Sequence, residues 1–186
     1  VLFANLNQNS PYGSPDLQLN FTPAAPQPLQ RLLPPLDFPV MIFLPILVQP
    51  LSIGSVHWDG EKPILNPNYL SNDKDVEVFK KAIKLCNQMA SAPGLDQLAS
   101  DALLPPPDNN EEYIRGNATT IWHPVGTCRI GEDPTDSVVN SKLEVHGTHN
   151  LHVVDSSVTP YVTCGNNHVL ALIMGEMASE IFLNII

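Results

Sequence analysis

A chain of 186 residues that is 43% hydrophobic and 15% charged is long enough to bury a core and too apolar for the disordered class. Its formal net charge of -10 works against a nucleic-acid or anionic-membrane surface, because the nine Lys and Arg are scattered and form no run that could track phosphates. A small or neutral ligand is the expectation that remains.

The chain starts "VLFANLNQNSPYG", with neither an initiator Met nor a targeting signature, as part of a longer polypeptide would. In "PDLQLNFTP", Leu17, Leu19 and Phe21 alternate with Gln18 and Asn20, the period of a half-buried strand. The apolar stretch "FPVMIFLPILV" at residues 38–48 is too short and too proline-broken to span a bilayer and reads as a buried strand or loop. Ile53, Gly54 and Val56, shortly before His57 and Trp58, predict a strand that bends at its glycine. Most of the nineteen prolines precede Pro107, so the first half is expected to be β-rich with stiff, extended connections.

The period then changes. In "SNDKDVEVFKKAIKLCNQMA", Val76, Phe79, Ile83, Cys86 and Ala90 recur at spacings of three and four, after Asn72 as N-cap and with Asp73 and Asp75 in the first turn. That predicts an amphipathic helix stopped by Pro93 and Gly94. A link, "LLPPPDNN", leads to a short helical segment around Glu111 to Ile114 and on to "TTIWHPVGTCRIG". Two strand-like runs follow, "SKLEVHG" and "NLHVVDSSV", separated by turn residues. The last segment, "NNHVLALIMGEMASEIFLNII", is a helix with Val169, Ile173, Met177, Ile181 and Ile185 spaced by four and a second row of small residues at Ala171, Gly175 and Ser179.

Three cysteines, Cys86, Cys128 and Cys164, include no CxxC pair, which removes zinc-knuckle and thioredoxin-type readings and allows at most one internal disulfide. Sequons at Asn20 and Asn117 fit a secreted glycoprotein.

Six histidines remain to be explained. His146, His149 and His152 are spaced as a metal-binding helix face would be, but Gly147 and Asn150 oppose a helix, and in extended geometry the rings diverge. His57, beside Trp58, is most simply a surface or interface residue. His123 is held between Trp122 and a stiff Pro124, with Gly126 close by, which suits a side chain kept in one pose. His168 opens the last helix, where free backbone N–H groups and the positive dipole end favour electron-rich ligands. Taken alone, each of these two reads more readily as a satisfied core histidine.

The wider pattern changes that balance. "WHPVGTCRIG", followed by "SVVNSKLEVHGTHNLHVVDSSVTPYVTCGNNHVLALIMGEMASEI", resembles the closing signature of the glucose-methanol-choline (GMC) oxidoreductases, and "PLSIGSVHW", "PILNPNYLSNDKDVEVFKKAIKL" and "SPDLQLNFTP" are similar to upstream parts of that family. The resemblance covers nearly the whole chain, and the His-containing motif is its most specific part. It implies an α+β fold: a mostly antiparallel substrate-domain sheet with flanking helices over residues 1–138, then a C-terminal strand and helix, residues 139–186, returning to an FAD-binding domain. It also implies a C-terminal piece, because no two glycines here are separated by one residue and the G-x-G-x-x-G turn that holds a flavin's pyrophosphate is absent.

By this resemblance the protein is part of an FAD-dependent alcohol oxidase or dehydrogenase. His123 is the base that takes the substrate hydroxyl proton, and His168 holds the same hydroxyl so that its C–H faces the flavin. Asp155, Ser157, Asn167 and Val169 would contact the flavin, with Asp155 nearly as readable as a turn cap. The expected partners are a small alcohol and a missing N-terminal FAD-binding portion, without nucleic acid or a membrane span. A hydroxynitrile lyase of the same family and a non-catalytic fragment are the alternatives. The last helix should expose an apolar face, including Ile173, Met177 and Ile181.

Overall fold

The computed structural model describes residues 1–6, 13–24, 38–99, 102–106 and 110–183. They fall into two compact units, Val1–Ser52 with Leu70–Ala118, and Ile53–Tyr69 with Thr119–Ile186.

In the first unit, β1 (Leu2–Ala4), β2 (Leu17–Thr22) and β3 (Ile42–Leu47) form an antiparallel sheet with β2 in the centre. Leu19 lies opposite both Leu2 and Pro45, and the proline is tolerated because β3 is an edge strand that need not donate on its outer side. Leu17 and Leu19 are buried as their alternation predicts. Gln18 is buried too, while Phe21 is exposed and packs obliquely on Phe43 at 5.2 Å between ring centres. The strand is therefore covered on both faces at its start and open at its end.

Helix α1 (Asp73–Ala90) begins where the sequence places it, with the Asn72 side chain accepting from the Lys74 amide at 3.0 Å. Val76 and Ile83 pack with Leu70 and with Ile114 of helix α2 (Asn110–Asn117) in one cluster, with Phe79 and Ala118 at its margin. Cys86 lies partly within this helix face, and burial pushes its thiol up to about 11. Lys80 bridges Glu77 and Glu111, and Arg115 bridges Glu111 and Asp73 while donating to the Leu70 carbonyl. These pairs are solvent-screened, so they orient the two helices more than they stabilise them.

Asp75 departs from the usual fate of a helix-start carboxylate, being only 2% exposed. It accepts from the Leu51 amide at 2.9 Å and from the amide and hydroxyl of Ser52 at 2.8 and 2.6 Å. Three donors and the positive end of α1 offset its desolvation. Asp75→Leu should lower unfolding free energy by roughly 2–4 kcal/mol, since the Leu51 and Ser52 amides and the Ser52 hydroxyl lose their shared buried acceptor. Urea denaturation measures this, and a change within about 0.5 kcal/mol would show that water replaces the carboxylate.

In the second unit, β4 (Ser55–Trp58) pairs with β5 (Pro63–Asn66), with Val56 opposite Leu65. The expected bend glycine, Gly54, sits at the entry to β4 because the chains meet there: a Cβ on it would lie 2.3 Å from the Asn66 carbonyl oxygen. The β-structure is antiparallel in both sheets, and with the three helices among the described residues the class is α+β.

The two strand-like runs behave differently from a ladder. "SKLEVHG" and "NLHVVDSSV" meet at a single antiparallel bridge, Glu144 with His152, and Val139 bridges Ile130 and Val145. Left-handed backbone at Leu143, Gly147 and Asn150 breaks the extension before a ladder can form. What they build instead is a core: Val139, Leu143 and Val158 are buried with Ala178 of helix α3 (Asn167–Phe182). Met174 and Ile181 pack against the same cluster, so the helix face that docks is Met174, Ala178 and Ile181. Ile173 and Met177 are 48% and 40% exposed, as expected, whereas Ile181 is partly covered. Residue 185 of the predicted apolar row lies outside the described residues.

Candidate active site

His123 lies on an irregular loop whose backbone is under constraint on both sides. Trp122, 70% exposed, adopts a left-handed φ of 62°, a conformation that costs a non-glycine residue about 1–2 kcal/mol. Its amide donates to the Thr120 hydroxyl at 2.8 Å, which holds that turn. Three residues beyond His123, Gly126 has φ 86°, where a side chain is unfavourable.

The loop is fastened from the segment "VVDSSV". The Asp155 carboxylate caps a single 3-10 turn, Ser156–Val158, by accepting from the Ser157 amide at 2.7 Å. That turn presents its carbonyls to the loop: Ser157 O accepts from both Gly126 and Cys128 N–H, at 3.1 and 3.0 Å, and Val158 O accepts from Ile130 N–H at 2.8 Å. Val158 is itself buried in the core described above, so the His123 loop is bolted to that core through one short turn.

His168 occupies the first turn of α3 and is exposed. The N-cap residue, Asn166, makes no side-chain hydrogen bond to the helix start. Its neighbour Asn167 reaches back instead, its Nδ2 donating to the Pro124 carbonyl at 3.4 Å. The residue preceding one histidine is thus bonded to the residue following the other, and α3 packs on the same core that holds the loop. Val169 is exposed beside His168.

Two polar atoms here are buried without a protein partner among the described residues: Thr159 Oγ1 and Asn167 Oδ1. Thr159 follows the 3-10 turn, and its carbonyl lies near Gly126, 3.6 Å from where a Cβ would stand. Orphaned polar atoms and an uncapped helix start, gathered about one loop, suit a ligand with both donor and acceptor edges.

The other histidines are used differently. His146 Nε2 lies 3.0 Å from both the Gly131 carbonyl and the Ser137 hydroxyl. Since the carbonyl only accepts and the Ser137 hydroxyl already donates to the Asp133 carbonyl, this nitrogen carries the proton. The ring braces the turn closed by the Arg129–Asp136 ion pair. In that turn the Thr135 hydroxyl and amide hold the Asp133 carboxyl below its usual range. His152 packs edge-on against Phe182 at 4.8 Å between ring centres, and His149 is exposed. His57 lies exposed on β4 opposite Ile64. Two features escaped the reading of the sequence: the clasp from Asn167 to Pro124, and the carbonyl grip of Ser157, whose backbone rather than side chain meets the loop. The D-x-S spacing signals the turn cap, but nothing in it names the loop it grips.

Residues 50–175 match the GMC oxidoreductase family, and the chain belongs to it. It is 37% identical over 128 residues to the alcohol dehydrogenase [acceptor] of Pseudomonas putida, covering 66% of this chain and 23% of that protein. It is 32% identical over 138 residues to the oxygen-dependent choline dehydrogenase of Cronobacter sakazakii, covering 69% and 24%. Among solved structures it is similar to pyridoxine 4-oxidase from Mesorbium loti, with a TM-score of 0.76 and 26% identity over 92% of this chain and 35% of that one. The chain therefore spans about a quarter to a third of the length of these relatives.

The constraint at Gly126 is conformational rather than spatial, since a Cβ there would make only ordinary contacts. Gly126→Ala should cost about 1–2 kcal/mol, the penalty of a left-handed backbone. Gly54→Ala, which drives a Cβ into a carbonyl, should cost more. Chemical denaturation of both variants checks the order, and a reversed order would contradict this account of the loop.

Proposed function

We propose that this chain is the substrate-binding and proton-handling part of an FAD-dependent alcohol oxidoreductase. The observation that carries the reading is the fastening of the His123 loop and the His168 helix to one core, joined at Pro124 and Asn167. Two of the relatives, an alcohol dehydrogenase and a choline dehydrogenase, support a CH–OH donor.

His123 takes the hydroxyl proton, and the resulting imidazolium stabilises alkoxide character on the substrate oxygen. His168 donates to or accepts from the same oxygen and so orients the carbon that gives up its hydride. FAD, when bound, supplies the hydride acceptor. The residues near the loop fit such a group, because Asn167 Oδ1 and Thr159 Oγ1 are buried and unpartnered among the described residues and the start of α3 has no side-chain cap. Asp155, Ser157, Asn167 and Val169 are the residues that would hold it.

In this reading residues 1–138 belong to a substrate-binding domain and residues 139–186 return to the FAD-binding domain. The exposed Ile173 and Met177 of α3 would be covered by that domain, and the 186 residues alone would hold FAD weakly, lacking the pyrophosphate turn. No helix of the described residues is long and apolar enough to cross a membrane. Passage through a secretory compartment would place a glycan on exposed Asn117, at the end of α2, rather than on Asn20 within β2.

In the complete enzyme under anaerobic conditions, an alcohol substrate should bleach the flavin absorbance. His123→Ala should slow that bleaching by roughly two to four orders of magnitude, the worth of a positioned base. His168→Asn should cost less, since an amide still bonds the hydroxyl. Cyanohydrin cleavage without bleaching would replace this reading with a lyase, and bleaching at the parent rate in His123→Ala would remove the base.

A further inference from the structure

The backbone around His123 is held in a conformation it would not choose. Trp122 sits at φ 62° immediately before the histidine and Gly126 at φ 86° after it. Such backbone persists only where its surroundings over-determine it. Three clasps supply that determination. The Thr120 hydroxyl holds the Trp122 amide, the Ser157 carbonyl holds the Gly126 and Cys128 amides, and Asn167 Nδ2 holds the Pro124 carbonyl. The first two act on the flanks of the motif. The third acts on the residue that follows His123, and it comes from the residue bonded directly to His168.

The amide orientation of Asn167 follows from its partner. A backbone carbonyl accepts and never donates, so the NH2 end must face Pro124 and the oxygen must face away. Proline has no N–H and a fixed φ, so the Pro124 carbonyl is the one backbone polar group by which that residue can be gripped.

We infer that Asn167 is a positioning residue: through its Nδ2 bond to the Pro124 carbonyl it sets the distance and orientation of the His123 loop relative to the helix that carries His168. The inference rests on the reading of the two histidines as one site. It adds that their alignment depends on a side chain that performs no chemistry, and that a residue matching Asn167 in shape but lacking its donor will loosen the alignment while the fold stays intact.

The test compares Asn167→Asp, which keeps the shape and loses the donor, with Asn167→Gln, which keeps the donor on a longer arm, in the complete flavin-loaded enzyme. The saturating rate of flavin reduction in Asn167→Asp should fall about ten- to a hundredfold, the usual loss for a misplacement on the order of 1 Å, with substrate affinity and melting temperature little changed. Asn167→Gln should recover most of the rate. Hydrogen exchange, which needs no turnover, should show the Gly126 and Cys128 amides exchanging faster in Asn167→Asp and at the parent pace in Asn167→Gln. Parent-like rate and exchange in Asn167→Asp would overturn the inference, as would a loss that falls on substrate affinity alone or that Asn167→Gln fails to repair. His123→Ala measured alongside separates the two failures: an unchanged rate there sinks the histidine reading, while the exchange data still decide whether Asn167 clasps the loop.

Discussion

The Ser157 carbonyl, shared by the amides of Gly126 and Cys128, is the contact on which the rest of the site depends. A histidine on a tether of irregular backbone would sample many poses, and each backbone residue fixed costs about 1–2 kcal/mol of conformational entropy. Here that cost is met by a turn that is itself immobilised. Asp155 closes the turn with its carboxylate, Val158 buries in the core, and the loop hangs from the carbonyls between them. His123, the proposed base, sits on irregular backbone, yet that backbone is hydrogen-bonded to a turn whose Val158 belongs to the packed core.

The same core receives α3 through Met174, Ala178 and Ile181. Helix and loop are docked on one cluster, and three of its buried residues, Val139, Leu143 and Val158, lie in the chain between His123 and His168. The remaining apolar surface of α3 explains its unusual composition. A helix that is apolar nearly all round reads as one buried on several sides, and the described residues cover one of them. Membership of the GMC family, with a chain spanning about a quarter to a third of its relatives, is consistent with partners for the open faces.

Much of this was legible in the sequence where local rules govern. Asn72, Asp73 and the three-and-four spacing of Val76, Phe79 and Ile83 give α1 its limits, because capping and periodicity are properties of neighbours in sequence. The alternation of Leu17 and Leu19 marks β2 for the same reason. Long-range geometry was less legible. Gly147 and the left-handed Leu143 and Asn150 reduce two strand-like runs to isolated bridges, and Gly147 and Asn150 announce that in advance while Leu143 does not. Ile173 and Met177 of α3 are exposed as expected, whereas Ile181 packs on the core, because a helix with little polar contrast does not mark which of its apolar positions dock. Asp75 reads as a first-turn dipole partner, and its burial as an anchor was not legible because the Leu51–Ser52 amides arrive from elsewhere in the chain. The "HPVGTC" and "DSSV" segments identify the candidate site, whereas the clasp between Asn167 and Pro124 joins residues whose pairing no local pattern encodes.

The central claim is that two histidines on separate elements act on one substrate oxygen. A crystal structure of the complete flavin-loaded enzyme with an unreactive alcohol analogue measures it directly. A ring nitrogen of His123 and one of His168 should each lie within about 3 Å of the analogue's oxygen, the hydrogen-bond reach that proton transfer requires. Rings that point to different sides of the loop, or an analogue oxygen bonded to neither, would contradict the account.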